Sequence, residues 1–152
     1  MENSKMDYYK LIQKSIDYIE RNLENEINLN EIAKESYMSL SNFYKLFFMY
    51  VGYSANEYIR LRRISLAAND LLNSNLRIID ISLKYQFDSV DSFSRAFKRV
   101  TRFLPSEFRK YNYNFQFERI DIMAQFLEAE IIYFKIVQIQ AYISFYVRQI
   151  IK

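Results

Sequence analysis

The sequence predicts an all-α fold: two helix-turn-helix subdomains joined by a long linker helix, followed by a C-terminal helix and a single β-strand-like tail. Three observations predict it. The 152 residues include one Gly and one Pro, too few for the tight turns of an all-β protein. Apolar residues recur three and four apart, the period of an amphipathic helix. A block of about fifty residues also occurs twice.

The first helix rests on Tyr9, Ile12, Ile16, Ile19 and Leu23, which share one face of residues 8–24. The repeat follows. Leu29, Glu31, Ile32, Ala33 and Met38 recur 49 positions later as Ile78, Asp80, Ile81, Ser82 and Phe87. Phe43, Lys45, Phe47, Glu57 and Tyr58 recur 50 positions later as Phe93, Arg95, Phe97, Glu107 and Phe108. The extra residue is expected between Ser39 and Phe43, at a turn. Each copy reads as a short helix (30–36, 79–85), a tight turn, a second helix (41–49, 90–100) and a third helix entered at Asn56 or Pro105. Ser54 and Glu57 form a capping-box pattern at the first of these entries. Pro105 suits the first helical position, but Leu104 cannot cap with its side chain. Residues 56–72 continue as a rod of about 26 Å at 1.5 Å per residue, which "NSN" at 73–75 ends.

Composition excludes more than it selects. Without Cys or His there is no disulfide, Cys/His metal site, thiol nucleophile or imidazole base, so no cofactor or metal is expected. A single glycine leaves no phosphate-binding glycine loop. Glu128 and Glu130 are paired carboxylates, but residues two apart on a helix diverge, so an enzyme is not expected. The N-terminus carries no leader-like apolar run and no stretch of 18 apolar residues occurs, so a cytoplasmic protein is expected.

Charge is uneven. Residues 37–112 hold twelve Lys/Arg against six Asp/Glu, whereas residues 1–36 hold five against eight. A basic segment lacking catalytic residue types points to a polyanion. In "VDSFSRAFKRV", Phe93, Ala96, Phe97 and Val100 fall on one stripe, leaving Asp91, Ser94, Arg95, Lys98 and Arg99 on the other. A helix with Arg, Lys and small polar residues on its free side suits the DNA major groove. A helical protein-protein interaction module with a basic face is the alternative.

The stretches "LNEIAKESYMSLSNFYKLFFMYVGYSANEYIRLRRISLA" and "IIDISLKYQFDSVDSFSRAFKRVTRFLPSEFRKYN" resemble the DNA-binding domain of AraC/XylS-type bacterial transcription regulators. The second is the more specific, through Phe-x-Arg-x-Phe-Lys followed by Pro-x-x-Phe-Arg. The resemblance covers about two thirds of the chain and assigns residues 1–112 to a double helix-turn-helix domain. It implies a sequence-specific regulator of double-stranded DNA that inserts two recognition helices into successive major grooves. Carried over by position, base-facing roles fall on Ser41, Tyr44 and Lys45 in the first recognition helix, and on Val90, Asp91, Ser94 and Arg95 in the second. Arg62, Arg63, Lys98, Arg99 and Arg102 take phosphate-contacting roles. Tyr44 could instead be a partly buried packing residue and Arg95 a solvated or Asp91-paired cation; Asp91 is read as orienting Arg95. The family usually has glycine at positions matching Tyr37, Gly52, Gln86 and Arg102. A left-handed backbone at the three non-glycine positions would cost roughly 1 kcal/mol each.

Residues 113–152 lie outside the repeat. Residues 115–132 read as a helix placing Phe115, Ile122, Met123 and Phe126 together, and strict alternation from Val137 to Arg148 reads as a strand of about 40 Å. Lys135, Gln138, Gln140 and Arg148 argue against membrane insertion. This tail resembles the opening segment of a gyrase-inhibitor-like effector-binding module. With only that segment present, no small-molecule effector is expected. Alternatively the strand pairs with its copy, making a homodimer.

Overall fold

A computed structural model describes the backbone of residues 2–150 and the side chains of residues 8–143. The chain divides into two compact units, Met1–Ile120 and Asp121–Lys152. Among the described residues the first holds seven helices: α1 (Glu2–Arg21), α2 (Leu29–Glu35), α3 (Leu40–Val51), α4 (Ala55–Asn73), α5 (Ile78–Lys84), α6 (Val90–Thr101) and α7 (Pro105–Tyr111). The second holds α8 (Ile122–Ile150).

The duplication is visible in three dimensions. Phe43, Phe47 and Tyr58 form a chain of rings, with centroids 5.5 and 5.9 Å apart. Fifty residues on, Phe93, Phe97 and Phe108 repeat it at 5.5 and 5.2 Å. All six are fully buried. Around the first chain pack Ile12, Ile16 and Ile19 of α1 with Ile32 and Ala33 of α2, all buried. Ile64, Ala67, Ala68 and Leu71 of α4 pack around the second, with Ile81 and Tyr85. Helix α4 thus gives Ala55, Tyr58 and Ile59 to one core and its C-terminal half to the other, tying the two cores together.

The turns within the two helix-turn-helix repeats match bond for bond. Helix α2 ends with Tyr37 N–H donating to Lys34 O (2.9 Å) and Met38 N–H to Ala33 O (2.9 Å). Helix α5 ends with Gln86 N–H donating to Leu83 O and Phe87 N–H to Ser82 O, both 3.0 Å. These are paired Schellman closures, in which the first residue past the cap, Tyr37 or Gln86, is left-handed. Tyr37 (φ 55°), Gln86 (φ 59°) and Arg102 (φ 75°) all adopt that conformation without being glycine, as does Asn112 (φ 53°). Gly52, at φ 80°, is the one glycine so placed. The helix N-caps Ser39 and Ser89 are 50 apart, so the additional residue, Asp88, precedes the cap and lies before the interval expected from sequence.

The first third-helix entry makes half of the expected capping box: among the described residues the Glu57 carboxylate pairs with Arg60 at 3.7 Å and does not reach back to Ser54. Ser54 Oγ accepts from Glu57 N–H at 3.2 Å. At the second entry Leu104 offers no side-chain cap, and Glu107 reaches back to accept from the Leu104 N–H at 2.9 Å. Such a cap contributes about 1 kcal/mol.

The tail corrects two expectations. Residues 113–121 are not helical, so Phe115 lies in an extended segment, and residues 137–148, expected as a strand, belong to α8. The side chains of Ser144–Arg148 lie outside the described residues. A lone strand leaves its backbone donors and acceptors unpaired, whereas a helix satisfies them internally, so alternation of side chains over twelve residues does not decide the matter. Asp121 starts α8 by accepting from Ala124 N–H at 2.9 Å. Among the described residues no helix is long and apolar enough to cross a membrane.

Candidate nucleic-acid interface

Helix α3 buries Phe43, Phe47 and Val51, four apart, and leaves Ser41, Tyr44 and Lys45 exposed. The Tyr44 ring leans on Phe43 with centroids 6.0 Å apart and Tyr44 remains 38% exposed, so it is partly packed and partly open. Phe48 and Met49 are also exposed on this helix, at 60% and 63%. Neither was selected from sequence. The signal was the Phe47-Phe48 pair, since adjacent helical residues point about 100° apart and Phe48 falls off the stripe of Phe43, Phe47 and Val51. An exposed apolar side chain can contact the thymine methyl in a DNA major groove.

Helix α6 buries Phe93, Phe97 and Thr101. Thr101 Oγ1 satisfies its buried hydroxyl by donating to Phe97 O at 2.9 Å. Asp91, Arg95, Lys98, Arg99 and Arg102 are exposed, and Val90 and Ser94 partly so. Among the described residues no ion pair joins Asp91 to Arg95, so Asp91 does not orient it in this conformation.

The cations of residues 37–112 sort sharply. Arg62 donates from Nε and Nη2 to Glu20 at 2.8 and 2.9 Å, and from Nη1 to the Phe117 carbonyl. Arg63 donates to Leu23 O (2.9 Å) and Asn25 O (2.7 Å), beyond the end of α1, and burial pulls its pKa down. Both were expected at phosphates; both guanidiniums are instead spent on packing α4 against the end of α1. Arg109 donates to Leu71 O and Leu76 O, and Arg60, Arg77 and Lys84 pair with carboxylates. Lys110 lies over the Tyr111 ring at 5.1 Å. Lys45, Arg95, Lys98, Arg99 and Arg102 are left with no protein partner among the described residues. All five belong to α3, α6 or the α6 cap. The remaining side chains placed on these helices from sequence, Ser41, Tyr44, Val90, Asp91 and Ser94, accompany them.

Known proteins share the fold and the helix-turn-helix domain. A family model described as "Helix-turn-helix domain" matches residues 32–111. The HTH-type transcriptional activator AarP of Providencia stuartii is 42% identical over 99 residues, covering 65% of this chain and 73% of AarP. YbfP of Bacillus subtilis, an HTH-type transcriptional regulator, is also 42% identical, over 70% of this chain but only 36% of YbfP. The chain thus spans about a third of that relative. A crystal structure of a transcriptional regulator from Chromobacterium violaceum, described as AraC-type DNA-binding, shares the fold with a TM-score of 0.62. The two are 23% identical over 72% of this chain and 95% of that one. The chain belongs to the AraC-type helix-turn-helix family of DNA-binding transcription regulators.

Proposed function

We propose that this sequence-specific regulator grips one face of double-stranded DNA, with α3 and α6 entering successive major grooves. The observation that carries this reading is the charge sorting: within residues 37–112, the cations without protein partners among the described residues lie on the two helices, or the cap of the second, that would face the duplex. Base edges are read by Ser41, Tyr44, Lys45, Val90, Ser94 and Arg95, with Phe48 at an apolar edge. Asp91 faces the same groove, where its carboxylate can accept from cytosine N4 or adenine N6. Lys98, Arg99 and Arg102 meet phosphates, which position the protein without reading sequence. The proposed phosphate set no longer includes Arg62 and Arg63. The work is binding rather than catalysis, in the cytoplasm where the duplex is available.

Footprinting on a duplex selected by the protein from a random pool tests this. Protection should span two successive turns on one face, and protection of one turn would overturn it. Neutralising the three phosphates met by Lys98, Arg99 and Arg102 gives a log-log salt slope of about −2.7.

We infer a homodimer through α8 as the second part of the function. Ile132, Ile136, Ile139 and Ile143 are each about half exposed and alternate by four and three, the spacing of a coiled-coil seam. Sedimentation with and without α8 tests it. A monomer in both cases rejects the dimer and favours the other reading of residues 113–152, the opening of a gyrase-inhibitor-like effector module.

A further inference from the structure

Asn112 turns the chain back at φ 53°, and residues 113–120 then run along the linker helix from the second helix-turn-helix unit to the first. Tyr113 stacks on Phe103 at 3.7 Å, and Phe115 packs on the second core. At the middle of α4, Phe117 N–H donates to Ser65 Oγ (2.9 Å) and its carbonyl accepts from Arg62. The Phe117 ring meets the first unit edge-on, 5.4 Å from Tyr53 and 6.1 Å from Tyr58. Beyond it, Ile120 N–H donates to Tyr58 Oη, and Arg119 pairs with Asp17 of α1 at 2.5 Å. One short segment therefore touches both cores and the helix between them.

We propose that residues 113–120 are a strap that locks the two helix-turn-helix units at one separation and rotation, with Phe117 and Ser65 as positioning residues that set the half-site spacing the protein accepts. This rests on the two-groove reading above. A single helix bends gently along its length. Without the strap, α4 and the contacts of Glu24 with Lys84 (3.4 Å) and Gln86 (2.7 Å) would hold the angle between the units. One base pair inserted between half-sites shifts the second by about 3.4 Å and rotates it by about 35°. A locked protein must strain to follow; a loosened one can follow.

The test uses the full chain and the duplex it selects from a random pool, with one base pair added or removed between the half-sites. The wild type should lose about tenfold or more in affinity for either change. The double variant Phe117→Ala/Ser65→Ala should lose less than about threefold and bind the unaltered duplex several-fold more weakly, because pre-organisation is lost. Its salt slope should be unchanged, since no cation is removed. Phe117→Tyr should restore the wild-type spacing profile. A double variant that keeps the tenfold penalty overturns the strap while leaving the two-groove reading standing. Failure of the wild type to select a two-part site sinks that reading instead. If the double variant shows no helical circular dichroism, Arg119→Ala, which removes only a half-exposed ion pair, takes its place under the same criterion.

Discussion

Arg62 of the linker helix and Glu20 of α1 form a forked ion pair, Nε to Oε1 at 2.8 Å and Nη2 to Oε2 at 2.9 Å, with side chains 11% and 12% exposed. Glu20 also accepts from the Tyr58 hydroxyl at 2.7 Å, so the carboxylate is held from two sides. Removing the arginine leaves a nearly buried charge short of its cation, which costs about 3 kcal/mol or more. Arg62→Ala should lower the urea midpoint accordingly. Below that midpoint its salt slope for DNA should equal that of the wild type; a slope reduced by about one would return Arg62 to the phosphate-contacting set.

Tyr37 is 97% exposed and held at φ 55°, so its side chain offers almost no packing against the strain of its backbone. Tyr37→Gly should relieve roughly 1 kcal/mol of that strain, less what glycine adds to the entropy of the unfolded chain. A gain of about 0.5 kcal/mol, or roughly 1–2 °C in Tm, is expected by thermal melting. Gln86→Gly, by contrast, should gain nothing, because Gln86 Nε2 donates to Glu24 O at 2.7 Å and that bond would be lost.

Most of the DNA-binding unit was legible because its determinants are local. The buried stripe Phe93 and Phe97, the cap Ser54, and the left-handed positions at 37, 86 and 102 are fixed by neighbours a few residues away. Partners far apart in sequence were not legible. Arg62 finds Glu20 at 42 residues' separation and Phe117 at 55, and nothing in "RLRRISLA" says which of its arginines faces inward. Segment 113–120 was unreadable for the same reason, since its order comes from Ser65, Tyr58 and Asp17. In α8 apolar residues occur on every side, so helix and strand periods both fit and periodicity selects neither.

Arg95 and Lys98 lie on the same free side of α6 but should fail differently. A guanidinium can bond guanine O6 and N7 together, so Arg95→Ala should cost about 1–3 kcal/mol and relax preference at one base pair. Lys98→Ala should weaken every duplex alike and reduce the salt slope by about one. Binding to a library with each position randomised separates the two. Equal loss on all sequences for both variants would move Arg95 to the phosphate group.

Alkaline pH should unfold the protein through Asp70. Its Oδ2 accepts from Lys84 Nζ at 2.8 Å and from the Tyr85 hydroxyl at 2.9 Å. Burial, and then the bond to Asp70, push the Tyr85 pKa up from 10.0 to about 12. Lys84 is raised as well, chiefly by its bond to Asp70, and Tyr58 by burial and then Glu20. Each group holds its proton more tightly when folded, so the stabilisation is complete below the unfolded pKa of about 10. It is lost as pH rises from there, because the unfolded chain releases these protons first. Each contributes a slope of up to about 1.4 kcal/mol per pH unit in that window. Denaturation midpoints should therefore hold steady on approach to pH 10 and fall between pH 10 and 12. In Tyr85→Phe the fall should be shallower, since one of the groups no longer titrates while Lys84 keeps Asp70 paired; a slope equal to that of the wild type would remove Tyr85 from this account.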